Sequence, residues 1–371
     1  GAGFPCARTA CEANGVGPMV AIFTGDGAGL ARSSANILGG AGQLGGAMLG
    51  SGGERVSVNA ATGNLVVARQ DEFLAGEGLD VALGRTYNSL QDTGDRDNGD
   101  HWQQTTTRRV FGLAGGLGVA DSTVQRLGGD GSVIAYTYEE RDDPDGSGTT
   151  SAYWATDGAG SHDRLEFDDT NLVWIWTDGD TLVEETYGSL YGATTFNGDE
   201  EYRLAARTDI DGNRIAFAYV TGSDRLERVT TASGEWIEYR WDQTHPDRID
   251  RIETGYRPDP SGTATTIATR TDYGYDGEGR LVSVVTDLTP DNTGDSETYT
   301  TAYTYVGSGS KLIATIVQDD GSQLAIAYDG NDRVETLTQT IVATGETRVT
   351  SLDYGESHTE VTAPNGEVTR L

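Results

Sequence analysis

Positive charge and sulfur are what this chain has least of. Lys311 is the only lysine, and 26 Lys plus Arg stand against 58 Asp plus Glu, for a formal net charge of −32. Phosphate backbones and anionic headgroups bind clustered cations, so nucleic acid and membrane surfaces are not expected partners. The acidity reads as a high-salt habitat, a GC-rich genome or both, or as acidic loops that hold divalent cations. Crowded carboxylates repel one another until salt screens them. The folded chain is therefore expected to melt at a higher temperature in molar salt than in dilute buffer. A thermal melt that does not shift upward would count against this.

Cysteine occurs only at Cys6 and Cys11. The pair is a candidate local disulfide or two free thiols, and it is too small a set for a metal site. No apolar run is long enough to span a bilayer. The chain starts at Gly1 with no charged-then-apolar signal, so either a signal has been removed or this is an excised piece. The four histidines, His101, His162, His245 and His358, are scattered. There is no G-x-S-x-G, H-E-x-x-H or P-loop, and no carboxylate pair stands out as a glycosidase would require. The chain is accordingly expected to be no enzyme, with no catalytic residue and no cofactor. Calcium is the one ion to weigh, at three acidic clusters: Asp92 to Asp100, Asp142 to Gly146, and Asp291 to Asp295. The first of these lacks a bidentate Glu at the spacing of a twelve-residue calcium loop, and all three are expected to be solvated turn tips.

Proline is scarce at 8 residues and glycine abundant at 52, a balance that suits many tight turns. From Tyr202 to Leu371 one loose phrase recurs. An alternating apolar strand ends in Tyr, an Asp/Gly/Asn turn follows, then Arg with an aliphatic, and three residues later a second aliphatic. Ile215, Phe217 and Tyr219 lead to Arg225, Leu226 and Val229. Ile237, Tyr239 and Trp241 lead to Arg248, Ile249 and Ile252. Tyr273, Tyr275, Asp276 and Gly279 lead to Arg280, Leu281 and Val284. Leu324, Ile326, Tyr328 and Asp329 lead to Arg333, Val334 and Leu337. Period-two alternation puts each apolar set on one strand face, and Gly, Asn and Asp supply tight turns. The spacing of three breaks the alternation, so a bulge there or burial of both faces is expected. A lone hairpin cannot bury its face, so these units must stack. The expected fold is all-β: tandem antiparallel hairpins in a long curled sheet or part of a hollow shell, preceded by a Gly/Ala-rich leader.

Three regions are expected. Residues 1–53 form the Gly/Ala-rich leader, a helical or extended plug, with an apolar patch at Met19 to Phe23 and a candidate small-residue helix from Leu30 to Met48. Its Gly40-Ala41-Gly42-Gln43-Leu44-Gly45 matches G-x-G-x-x-G, but strand-rich sequence follows in place of a βαβ unit. Residues 54–200 form a β-rich domain leading into the repeats, and residues 201–371 form the repeat array, ending mid-repeat. Trp174 and Trp176 share one strand face, as buried core or as a sugar-stacking platform.

Val58-Asn59, Ala61-Thr62-Gly63-Asn64-Leu65, Gly76-x-Gly78-Leu79 and Arg85-Thr86-Tyr87-Asn88-Ser89 together resemble the N-terminal domain of the Rhs/YD-repeat family of large bacterial surface and toxin proteins. Tyr275-Asp276-Gly277-x-Gly279-Arg280-Leu281 and Tyr328-Asp329-Gly330-Asn331-Asp332-Arg333-Val334 resemble its repeat, over a region from Val56 to Leu371. The array departs from that pattern at Tyr239-Arg240-Trp241 and at Lys311, which stands in the Arg position. The resemblance implies a secreted or cell-surface, non-catalytic shell segment. Its partner would be the rest of its own chain or an enclosed cargo polypeptide, such as a C-terminal toxin not present in this sequence. The alternative is a subunit of an extracellular fibre or adhesin that self-associates through strand edges, with glycans as further partners.

Overall fold

The computed structural model describes residues 21–23, 48–49, 54–91, 95–142, 148–155, 162–190, 192, 195–258, 263–292, 294–295, 297–342 and 344–371. Cys6, Cys11 and the glycine motif at 40–45 lie outside them, as does the candidate helix apart from Met48. Met48–Leu49 is a short strand, and so is Ala21–Phe23. Both pair with Glu54–Asn59, the first antiparallel and the second parallel. All regular structure among the described residues is β.

Two sheets carry the fold. The smaller has six strands, among them Glu54–Asn59, Leu65–Leu74, Val81–Asn88 and Trp102–Gln104 in hydrogen-bonded order. The larger is a 21-stranded antiparallel meander from Arg109–Ala114 to Val368–Arg370. It closes a ring early, where Tyr202–Thr208 pairs with Arg109–Ala114 as well as with Glu184–Ser189 and Arg214–Tyr219. Beyond that fork the strands continue as a row of hairpins. The boundary expected at 200/201 falls between Glu184–Ser189 and Tyr202–Thr208, which are bonded neighbours, so the large sheet runs through it. The change of sheet lies earlier, between Trp102–Gln104 and Arg109–Ala114.

The repeat phrase has a structural cause. In five successive hairpins the register slips by one residue at the strand-ending aromatic: at Tyr219, Trp241, Tyr275, Tyr305 and Tyr328. The extra residue lies on the returning strand, between the two aliphatics spaced by three. It restores both of them to one face. Leu226 with Val229, Ile249 with Ile252, Leu281 with Val284, Ile313 with Ile316 and Val334 with Leu337 are all buried. At roughly 1.5–3 kcal/mol for each such side chain, this stripe is the main apolar cohesion of the array.

The smaller sheet and the segments flanking Trp102–Gln104 lie against that stripe. Their contacts step across the array in order: Thr106 with Tyr239, Asp97 with Ile249, Glu72 with Thr271, Arg85 with Tyr303, Tyr87 with Ile313, Gly63 with Val334 and Ala60 with Thr359. One hydrophobic cluster runs through both sheets, from Val56 to Val361.

Candidate functional site at the joint between the sheets

The array is tied together by its own signature residues. Tyr219 Oη donates to Leu204 O at 2.7 Å, Tyr275 Oη to Ile249 O at 2.7 Å, Tyr305 Oη to Leu281 O at 2.8 Å, and Tyr328 Oη to Ile313 O at 2.9 Å. Each ring thus reaches back to the previous unit. From Ile249 onward the acceptor is the first aliphatic of that unit's buried pair. Tyr354 Oη does the same to Val334 O at 2.6 Å. In the Tyr305 unit Leu312, and not Lys311, holds the Arg position, since the Val306 amide donates to Leu312 O as the Asp276 amide does to Arg280 O. In the Tyr239 unit the bond comes from Trp241, whose Nε1 donates to Leu226 O at 2.9 Å. This is the unit in which Tyr239-Arg240-Trp241 departs from the repeat. Tyr239 pairs with Ile252, the register that Tyr273 takes with Val284, so its side chain falls on the buried face. Trp241 stands opposite the bulge, whose extra residue is Asp250.

The turn residues clamp the arginines. Asp276 Oδ1 accepts from the backbone amides of Glu278 and Arg280, while its Oδ2 accepts from Arg280 Nε at 2.8 Å. Asp329 repeats this arrangement on Asn331 and Arg333. Held so, Arg280 lies over the Tyr305 ring at 4.9 Å and Arg333 over Tyr354 at 4.2 Å. Arg225 sits over Trp241 at 5.9 Å, on the same plan. Such a stack adds about 0.5–2 kcal/mol, depending on its desolvation. Gly279 has φ +76°, and Asp332 takes the matching left-handed place at φ +61°.

The Gly63 to Asn88 signature makes the joint. Gly63 O accepts the Val334 amide at 3.0 Å. Asn64 Oδ1 accepts from Ser89 Oγ and the Leu90 amide, and Asn64 Nδ2 donates to Asn88 Oδ1, which ties the first hairpin to the end of Val81–Asn88. Tyr87 is fully buried and inserts its hydroxyl into the array, donating to Lys311 O at 2.9 Å and accepting from the Ile313 amide at 3.2 Å. Thr86 faces the other way and is also buried.

Arg85 has no solvent exposure. It pairs with Asp71 and, at 3.2 Å, with Glu54, donates to Tyr303 Oη at 2.7 Å, and lies near the Trp102 and Tyr303 rings. Tyr303 Oη in turn donates to Glu54, Tyr273 Oη donates to Asp71 at 2.8 Å, and Arg69 Nη1 donates to Thr301 Oγ1 at 2.9 Å. This is an ionic seam between the sheets. The sequence flagged Arg85 but not Glu54, Asp71 or Glu72. A bulge between Gln70 and Glu72 breaks the alternation that would have placed the last two.

Glu72 differs from its neighbours in accepting from hydroxyls, those of Thr269 and of Thr271 at 2.8 Å. Burial pushes its carboxyl up to about 7, against the pull of those two hydrogen bonds. A pKa raised in the folded state gives stability that is complete below the ordinary carboxylate pKa and lost as pH rises through about 7. The wild-type chain is therefore expected to lose ~3 kcal/mol from this group between pH 5 and 8. Glu72→Gln should flatten that loss in urea titrations, and an unchanged pH profile would remove the assignment.

Gly63 is a point of close approach in the joint. Its φ is +79°, and a Cβ there would lie 2.3 Å from Arg333 Cβ and 2.9 Å from its Cα. Gly63→Ala is expected to destabilise by about 2–4 kcal/mol, from backbone strain plus displacement of the Arg333 turn. Chemical denaturation checks this, and a loss below about 1 kcal/mol would mean the hairpin is not seated on the array.

A second ionic cluster fills the ring. Glu185 is fully buried among Arg108, Arg126 at 2.6 Å and Arg207 at 3.4 Å, and Tyr187 Oη donates to it. Trp174 and Trp176 are buried beside it, at 1% and 7% exposure, so they form no open stacking platform. Among the acidic loops, residues 92–94 and 143–147 and Thr293 lie outside the described residues, as do the side chains of Asp95 and Asp100. Asp97 is buried and accepts from the Gln104 amide at 3.3 Å and from Thr107. Asp295 accepts from Thr289 and Asn292. No group of three or more metal-ligating side chains occurs among the described residues. Among the described residues His101, His162, His245 and His358 take part in no metal-ligating group.

A sequence profile described as a domain of unknown function, DUF6531, matches residues 56–136, which include the joint signature. No curated protein matches the chain. Among solved structures it is similar to a Tc holotoxin pore from Photorhabdus luminescens, with 13% identity and a TM-score of 0.47 over 88% of this chain. It is also similar to a TcdB2–TccC3 complex, with 13% identity and a TM-score of 0.25 over 82% of the chain. A porin-like protein from Bacteroides uniformis matches at 9% identity and a TM-score of 0.26, over 72% of this chain and 94% of that one. The chain spans 22% of each of the two toxin chains.

Proposed function

We propose that this chain is a non-catalytic wall segment of an Rhs-like β-shell, secreted or displayed at the cell surface, whose work is to enclose a polypeptide cargo. The observation that carries this reading is the ordered seating of the smaller sheet and its flanking segments across the array, from Thr106 on Tyr239 to Ala60 on Thr359. Chain-specific ties at each step hold a broad sheet in one fixed curvature, which is what a wall needs and what a loose adhesive ribbon does not. The two buried ionic clusters support it. Their charges are spent on one another inside closed packing, as they would be in a scaffold.

The test uses the full polypeptide as its gene encodes it. Any segment that follows Leu371 is expected to resist protease while the shell is folded, and to be cut once urea opens it. Cleavage at the same rate before and after unfolding would overturn the reading. Light scattering on the 371-residue chain addresses the fibre alternative. A monomer at high concentration agrees with a wall, and concentration-dependent filaments would favour edge-to-edge assembly.

A further inference from the structure

The two rims of the array differ in charge. At the Tyr-Asp turns, carboxylates are met by arginines of the same turn: Asp276 pairs with Arg280 at 2.7 Å and Asp329 with Arg333 at 2.6 Å. The hairpin ends of the opposite rim have no such match. Three successive ends there, residues 284–301, 315–326 and 337–350, hold seven carboxylates and one cation, Arg348.

Large apolar side chains stand among those carboxylates. Leu288 is 45% exposed, Tyr299 41% and Val342 54%. Single exposed aliphatics are ordinary, but these adjoin one another. Asp287 pairs with Thr298, so Leu288 and Tyr299 stand at the two feet of one turn. The next turn is seated beside Tyr299: the Asp319 amide donates to Thr300 O at 3.0 Å, and Asp319 Oδ2 accepts the Thr300 amide at 3.3 Å. Val342, from the third end, leans over that same turn, where a Cβ on Gly321 would come within 3.3 Å of Val342 Cγ1. At about 4.8 Å per strand the strip is about 20 Å long. Asp291, Glu297, Asp319, Asp320 and Glu346 are all exposed along it.

A contiguous exposed apolar strip marks a contact surface, and the charge around it decides what can cover it. A neutral or acidic partner would strip water from these carboxylates and leave them unpaired, which is strongly unfavourable. We propose that this rim docks a cationic polypeptide, an amphipathic helix whose Lys or Arg residues flank one row of apolar side chains. Neighbouring hairpin ends are about 9.6 Å apart, and seven helical residues rise about 10.5 Å. One apolar side chain per heptad therefore meets one hairpin end, and a helix of about 15 residues meets all three. The field of a chain carrying −32 would draw such a segment in. This inference is independent of the shell reading.

Fluorescence anisotropy of a labelled peptide titrated with the whole chain tests it, at about 0.15 M salt so that loose ion contacts are screened. The probe is a peptide of about 15 residues with leucine once per heptad, lysine at the flanking positions and alanine elsewhere. Controls replace its leucines by serine or its lysines by glutamate. The probe is expected to bind saturably, the serine form about tenfold more weakly or worse, and the glutamate form not at all. Leu288→Ser combined with Val342→Ser, both at exposed positions, should weaken the probe about tenfold. Val306→Ser, equally exposed on the Tyr-Asp rim, should leave it unchanged. The absence of saturable binding overturns the proposal. So does a serine form that binds as tightly as the probe, or an unchanged affinity in the Leu288 and Val342 double variant.

Discussion

Arg85→Met is expected to lower the unfolding free energy by about 3–5 kcal/mol, because it strands two buried carboxylates at once. Glu54 and Asp71 face Arg85 where its side chain has no solvent exposure. Arg69 approaches them only at 3.7 and 3.9 Å, too far to take over. Methionine keeps the aliphatic bulk against Trp102 and loses the donors. Urea denaturation gives the magnitude, and a double-mutant cycle with Tyr303→Phe shows where it acts. The Arg85 to Tyr303 bond crosses from one sheet to the other, so coupling of about 1 kcal/mol or more would place the loss at the joint. Adding Glu54→Gln and Asp71→Asn to Arg85→Met should recover part of the stability, since neutral amides need no cation. A loss below about 1 kcal/mol for Arg85→Met would mean the seam is hydrated and the sheets are held by the apolar stripe alone.

The hairpins of the second half were legible in the sequence because a period of two and an Asp/Gly turn are local facts. The spacing between Leu281 and Val284 left a bulge or burial of both faces open, and the structure has the bulge, which lets two aliphatics three apart share one strand face. The reach of Tyr275 to Ile249 O was not legible, because that bond joins neighbouring units and alternation describes one strand at a time. The departure at Tyr239-Arg240-Trp241 was visible, but for the same reason not that Trp241 takes over the bond to Leu226 O. The joint was half visible. Gly63, Arg85 and Tyr87 stood out as a pattern. Their partners Val334, Tyr303 and Ile313 lie more than two hundred residues away and look like any other member of the array. The ring was the least visible part, because closure depends on two pairs, Tyr202 with Val110 and Arg203 with Arg109, that no local pattern specifies.

Glu185→Gln is expected to rival Arg85→Met, again at about 3–5 kcal/mol, with the opposite charge left behind. Arg108, Arg126 and Arg207 all depend on this one carboxylate. Burial pushes the Glu185 carboxyl up, but the three guanidiniums outweigh it and hold the group well below the usual carboxylate range. A pKa depressed in the folded state gives stability that is complete above the unfolded carboxylate pKa and is lost as pH falls below it. Wild type should therefore lose stability on acidification below about pH 4.5, and Glu185→Gln should lose less over the same interval. That is the reverse of Glu72, which acts as pH rises, so the two variants should flatten opposite limbs of one stability profile. The effect also has an address. Arg108 O accepts the Leu204 amide at 3.3 Å, next to the pair that closes the ring. If Glu185 holds that closure through Arg108, the Leu204 amide should exchange faster with solvent in Glu185→Gln than the amides of Leu281 or Val334 in the array. Equal acceleration at all three would mean the cluster supports the sheet as a whole and the fork has no separate lock.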